Sequence, residues 1–274
     1  MKFATIKRNG REEAALVRED GVVPLGEDLF SFIGEGRMSE AETHATGEVV
    51  PFGEVEYGPL YRRPRKIWGI GLNYVEHAGD LNEKAPFEEP ASFMRPDTTI
   101  IGPGDEIRLP HQSQRITGEA ELAVVIGRKA KNVSVEEAWS VVAGFTTVID
   151  MTAEDILRKN PRYLTRAKSF DTFFSLGPHL LTPDEIGSAE DLLRLEVSTV
   201  LNGEALRTNT VSNMTFPPLD LVSFHSEVMT LLPGDIISTG TPGAVVVRDG
   251  DSIGCDIPGF EPLSNPVVRD AASR

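Results

Sequence analysis

Apolar and polar residues alternate over short runs through most of the chain, and turn residues separate the runs at close intervals. That pattern predicts strands. Phe3 to Lys7, Glu13 to Val17 and Val22 to Leu25 read as three short strands, and Asp28 to Ile33 as a helical turn or two. Residues 47–65 are rich in Gly, Pro and Arg and carry little apolar period, so they read as a connection. Beyond them, Lys66 to Gly71 is a strand running into a glycine turn, and Phe93 to Arg95 and Ile100 to Leu109 are short extended pieces. Glu119 to Ile126 is a strand with an apolar second half. Phe145 to Ile149 is a buried strand ending at Asp150. Asn202-Gly203, set between Leu195–Leu201 and Glu204–Leu206, predicts a hairpin, because that pair accepts the positive φ angles of a type I′ turn.

Helices are few. Ser134 and Glu137 have capping-box spacing and predict a helix through Trp139 to about Ala143. Thr182-Pro183 begins another, with proline at the first helical position. Pro217-Pro218 opens a third, with Leu219, Val222, Val228 and Leu231 apolar. Pro233-Gly234 stops it, and Asp235 to Ser238 is a strand leading into Gly240-Thr241-Pro242-Gly243. Many short strands beside few short helices point to an all-β or strand-dominated α+β body, not an alternating βαβ fold. Residues 1–60 read as a small N-terminal domain and 66–274 as the main domain.

Composition narrows the function. The 274 residues carry 27 Lys and Arg against 42 Asp and Glu, a net charge of −15. A surface so acidic argues against nucleic acid as a partner, since phosphate contacts need clustered Lys and Arg. It offers no long-range attraction for an anionic substrate either, so an anion needs a local cation. One cysteine, Cys255, excludes an internal disulfide framework and a multi-cysteine zinc site. No apolar run approaches a membrane span and the N-terminus has no signal pattern, so the expectation is a soluble, cytoplasmic protein with no membrane partner.

Several clusters can carry chemistry. On a strand, Glu119 and Glu121 point to one face just before an apolar stretch. Buried together they repel each other, and a divalent cation relieves that cost; on an exposed strand end they simply face water. Asp150, at the end of an apolar strand, reads alone as a helix cap or as nothing. With the two glutamates it completes three oxygen ligands suited to Mg²⁺ or Mn²⁺. His77 and Asp80 are spaced i, i+3. On a helical turn the carboxylate can orient the imidazole as a general base, or the two can form a surface pair. Arg166 and Lys168 lie among apolar residues and offer cations to an anionic ligand, or else a solvated loop. Gly240 and Thr241 offer N–H and O–H groups to a carboxylate. Gly69-Ile70-Gly71 lacks the rest of a dinucleotide fingerprint.

The order of these motifs resembles the fumarylacetoacetate hydrolase family in its single-core bacterial form. The elements are Gly71-Leu72-Asn73-Tyr74 with His77, Gly118-Glu119-Ala120-Glu121-Leu122 through Gly127, Asp150-Met151-Thr152-Ala153, Ala167 to Thr172, Leu201-Asn202-Gly203, and Pro233-Gly234-Asp235 through Pro242. Glu121 and Asp150 stand 29 residues apart. The resemblance implies a strand-dominated α+β fold, a β-roll or β-sandwich core with a small N-terminal α+β domain, and a homodimer. It implies Mg²⁺ or Mn²⁺ on Glu119, Glu121 and Asp150, and a 2-oxo acid bound through its carboxylate and keto oxygen. By the same resemblance His77 is a general base supported by Asp80, Lys168 lies near the substrate, and Thr241 meets the substrate carboxylate. The implied reaction is hydrolysis of an acylpyruvate-type diketo acid, decarboxylation of oxaloacetate or isomerisation of an unsaturated hydroxy diacid. A binding protein that kept the fold and metal but lost turnover is the non-enzyme alternative. Two positions depart from the pattern: Glu154 and Leu157 stand where many relatives carry Arg and Gln. If they face the pocket, Glu154 repels a second substrate carboxylate and Leu157 offers apolar contact, so the distal part of the substrate is less charged and more apolar. If they do not, Arg158 or Arg166 serves as the cation.

Overall fold

The computed structural model describes residues 1–76 and 86–270. The N-terminal strands are β1 (Lys2–Arg8), β2 (Arg11–Val17), β3 (Gly21–Pro24) and β4 (Val50–Pro51). Then come β5 (Ile67–Gly71), β6 (Ala91–Met94), β7 (Ile100–Ile101), β8 (Ile107–Leu109), β9 (Ile116–Ile126) and β10 (Val142–Ala153). After these follow β11 (Phe174–Leu176), β12 (His179–Leu181), β13 (Glu196–Leu201), β14 (Glu204–Thr210), β15 (Ile236–Ser238), β16 (Val245–Val247), β17 (Ser252–Asp256) and β18 (Leu263–Arg269).

A 13-stranded sheet runs β4-β3-β2-β1-β12-β10-β9-β15-β5-β6, with β11 also on β10, β16 on β9 and β7 on β11. A five-stranded sheet runs β14-β13-β17-β18-β8 and packs against β9 and β10. The N-terminal strands join the main body where β1 pairs antiparallel with β12. Phe3 and Leu16 of these strands and Phe32 of the helix Leu29–Gly34 share an apolar cluster with Val125, Val148 and Phe174. A second, larger cluster lies around Leu122, Val124, Phe145 and Ile149, between the two sheets.

The strand-dominated expectation holds, and the differences lie in lengths. β9 starts three residues before the predicted strand, at Ile116. The capping box at Ser134 is present, with both reciprocal bonds, but the α-helix spans only Val135–Ala138 and a 3₁₀ turn follows. The chain then enters β10 at Val142, because Val142 pairs with Ile126 and Trp139 packs on Phe145 with ring centroids 5.7 Å apart. β10 continues past the expected end, so Asp150 lies inside the strand and does not cap a helix. The hairpin of β13 and β14 turns at Asn202 and Gly203, at φ 52° and 83°.

Candidate functional site

The two longest strands build the site. In the antiparallel pairing of β9 and β10, Asp150 stands opposite Glu119, and Val148 opposite Glu121. Glu119 and Glu121, two apart on β9, therefore share a face with Asp150. Carboxylate oxygens of all three lie within 4.8 Å of one another. Glu121 and Asp150 are each 1% exposed. The register of one strand pair thus brings together two segments whose sequence distance says nothing of contact.

Each carboxylate is held. Glu121 Oε2 accepts from the Ser238 hydroxyl (2.5 Å) and the Gly240 N–H (3.0 Å), both from the end of β15 and the turn beyond it. Glu119 accepts from Thr152 Oγ1 (2.8 Å) and Lys168 Nζ (2.9 Å). Asp150 Oδ1 pairs with Lys168 Nζ (2.9 Å) and with the Arg95 guanidinium. Lys168 ends the helix Leu164–Lys168 with its side chain buried against the cluster. Burial pulls its ammonium down, but Asp150 and Glu119 overcome that and hold its pKa above the ordinary lysine value. Burial pushes the Glu121 carboxyl up, and the charge of Asp150 adds to the rise. Three buried carboxylates against two cations leave an excess of negative charge. The cluster relieves it by protonation or by a further cation. Three hard oxygen ligands at this spacing fit Mg²⁺ or Mn²⁺.

The remaining expected residues fall in different places. Thr241 is buried, and its hydroxyl is tied within its own turn to Gly243, donating to the carbonyl (3.3 Å) and accepting from the N–H (3.2 Å). The Gly240 N–H expected to meet a substrate carboxylate is committed to Glu121. Arg166 is exposed and bonds Gln112 Oε1 (3.0 Å), and it is not among the cations paired with the cluster. His77 and Asp80 lie outside the described residues. Glu154 does not present a bare charge: Arg115 and Arg158 both pair with it, the latter at 2.6 Å. Leu157 packs partly buried against the main apolar cluster.

Sequence reasoning missed Arg95, Ser238 and Arg115. Arg95 and Arg115 stand beside strands, where a charged residue reads as facing water. Only the tertiary fold shows that Arg95 turns inward.

A family model described as fumarylacetoacetate (FAA) hydrolase C-terminal matches residues 66–268. The chain belongs to the fumarylacetoacetate hydrolase family. It is 36% identical over 260 residues to oxaloacetate tautomerase FAHD2A, mitochondrial, of Homo sapiens, covering 91% of this chain and 82% of that protein. A solved 5-carboxymethyl-2-hydroxymuconate delta-isomerase from Mycobacterium smegmatis superposes with a TM-score of 0.82 at 32% identity, covering 99% of this chain and 100% of that one. A maleylpyruvate hydrolase from Sphingobium sp. SYK-6, solved with manganese(II) and pyruvate, gives 0.83 at 26% identity, covering 99% and 100%. This family fold therefore carries hydrolases, isomerases and tautomerases, and its strand-dominated architecture is the one seen here. Among the described residues no helix is long and apolar enough to cross a membrane.

Proposed function

We propose that this chain is a divalent-metal-dependent enzyme acting on a 2-oxo acid, by hydrolytic C–C cleavage of an acylpyruvate-type substrate. The observation that carries the reading is the buried cluster of Glu119, Glu121 and Asp150, with Lys168 lying between two of them. These three residues would hold Mg²⁺ or Mn²⁺, which would supply a Lewis acid for negative charge on the substrate oxygens. The protein's own part is preorganisation. Ser238 and Gly240 fix Glu121, Thr152 and Lys168 fix Glu119, and Arg95 and Lys168 fix Asp150. The buried Lys168 ammonium, paired with Glu119 and Asp150, stabilises an anionic substrate against a surface of net charge −15. His77, supported by Asp80, takes the proton from water in the hydrolytic reaction. Thr241 and Arg166 meet the substrate carboxylate, Thr241 by exchanging its bond to Gly243 for one to the substrate and Arg166 by leaving Gln112. Residues 1–60 form the small N-terminal domain, and the working unit is a cytoplasmic homodimer.

A second reading is proton transfer without water, as in tautomerisation of oxaloacetate or isomerisation of an unsaturated hydroxy diacid. Leu157 favours it, because an apolar side chain packed on the core orients no water.

The test is a substrate panel of oxaloacetate, acylpyruvates and unsaturated dicarboxylates, each with Mg²⁺, Mn²⁺ and EDTA. Metal-dependent release of pyruvate from an acylpyruvate supports the first reading. Enol–keto interconversion or double-bond migration alone supports the second. Glu121→Gln is expected to abolish whichever activity is found, and full activity of that variant in excess chelator would sink both readings.

A further inference from the structure

Arg95 follows β6 directly, and its side chain is 1% exposed. Its guanidinium donates to Asp150 Oδ1, to the backbone carbonyl of Lys168 and to the carbonyl of Phe173, the last at 2.9 Å. It lies 5.2 Å from the ring centroid of Phe174. One fork of donors thus joins three segments: β10 at Asp150, the C-terminal end of the helix carrying Lys168, and the turn into β11. The helix end is significant, because its last carbonyls have no partners within the helix. By capping the Lys168 carbonyl, Arg95 fixes where the Lys168 side chain starts.

The strand that delivers Arg95 is itself anchored. The Ser92 hydroxyl donates to His225 Nε2 (2.7 Å), whose Nδ1–H donates to the Leu221 carbonyl (2.7 Å) in the helix Pro218–Val228. β6 is an edge strand, paired only with β5 among the described strands. The histidine tie holds it at one end and Arg95 at the other.

We infer that Arg95 is a positioning residue, holding Asp150 and Lys168 so that the three carboxylates stand at ligand spacing before a cation arrives. The inference rests on the reading of Glu119, Glu121 and Asp150 as metal ligands. Two effects of Arg95 oppose each other. Its charge repels a divalent cation, and its bonds preorganise the ligands. Preorganisation wins, because losing the fork frees Asp150 and the helix end together and leaves both to be ordered again at each binding event. Lysine cannot replace it: an ammonium is a point charge without the planar fork that reaches three acceptors at once.

The experiment titrates Mn²⁺ alone into the full chain, reading free Mn²⁺ by electron paramagnetic resonance, for the wild type, Arg95→Met and Arg95→Lys. Thermal unfolding of each is followed separately. Loss of this kind of supporting bond is expected to weaken Mn²⁺ binding by about 10–100-fold. Arg95→Met should show that loss well below its unfolding temperature, and Arg95→Lys should show most of it despite keeping the charge. A residue that mattered only to folding would lower the unfolding temperature and leave the affinity of the folded protein unchanged. Equal or tighter Mn²⁺ binding by Arg95→Met overturns the inference. Should that variant fail to fold, wild-type affinity in Arg95→Lys overturns it equally. A wild type that binds no Mn²⁺ overturns the metal reading itself, and is told apart from failure of the inference alone, in which the wild type binds and the variants match it.

Discussion

At the scale of single residues, Glu154 shows how a charge changes meaning when its partners appear. Alone in the sequence it is an anion where the family resemblance leads one to expect Arg, and, if it faces the pocket, it predicts repulsion of a second substrate carboxylate. In the fold, Arg115 and Arg158 grip it, so that group of three carries a net positive charge. The pairing removes the reason to expect an apolar distal substrate on charge grounds, and Leu157 alone still argues for one. Glu154→Gln keeps the shape and leaves two guanidinium groups facing each other. Its kcat/KM for substrates with a distal carboxylate should rise several-fold relative to those with an alkyl end, the scale of about 1 kcal/mol for partly exposed pairs. An unchanged ratio would place these residues outside the substrate path. Arg95 is the opposite case. It follows the short strand β6 and carries no spacing signal, yet it is among the most deeply buried charges near the cluster.

At the scale of elements, the site depends on one register and one turn. The register of β9 on β10 aligns Glu119 with Asp150, and a slip of one residue would turn Asp150 to the opposite face. The turn after β15 brings the Gly240 N–H to Glu121, and it needs glycine there. Gly240 has φ 98°, and a Cβ would lie 2.9 Å from Asn73 Cβ and 3.1 Å from the Ile70 carbonyl. Gly240→Ala is therefore expected to cost about 1–3 kcal/mol of stability. It should also weaken Mn²⁺ binding, because the displaced N–H no longer holds Glu121. Thermal unfolding and a Mn²⁺ titration of the same sample check the two together. Near-native values in both would show that the turn adapts. The i, i+2 glutamates were readable from strand period alone. Asp150 was readable as a candidate, but its partner across the ladder was not, since Glu119 lies 31 residues away in sequence and their pairing is a long-range choice.

At the scale of the whole molecule, the seam between the N-terminal strands and the main body contains a titratable group. His179 lies on β12 opposite Ala4 of β1, with Nε2 3.1 Å from the Tyr57 hydroxyl. Burial pushes its pKa down to about 4, and Lys2 adds to the fall. Between pH 4 and the unfolded value near 6.5 the unfolded chain binds the proton and the folded chain does not. Folded stability therefore rises with pH through that window, is complete above about 6.5, and is lost as pH falls toward 4. The slope is at most about 1.4 kcal/mol per pH unit. His179→Asn removes this contribution, so the difference in unfolding temperature between it and the wild type should change steadily from pH 7 to pH 4.5. A constant difference would show that His179 does not titrate on unfolding.

The sequence by itself determined the strand-dominated class, most strands, the capping box and the Asn-Gly hairpin, because each follows from local period or turn chemistry; the three carboxylates were named as one set by the family resemblance, since period alone left them as a strand end and a helix cap. The tertiary structure alone decided that Asp150 lies within a strand opposite Glu119, that Lys168 and Arg95 turn inward to it, that Gly240 serves Glu121, and that Glu154 is paired with two arginines. These depend on which distant segments pack together and on which charges lose water in doing so. A buried carboxylate is made tolerable only by partners from elsewhere in the chain, and no local pattern names those partners.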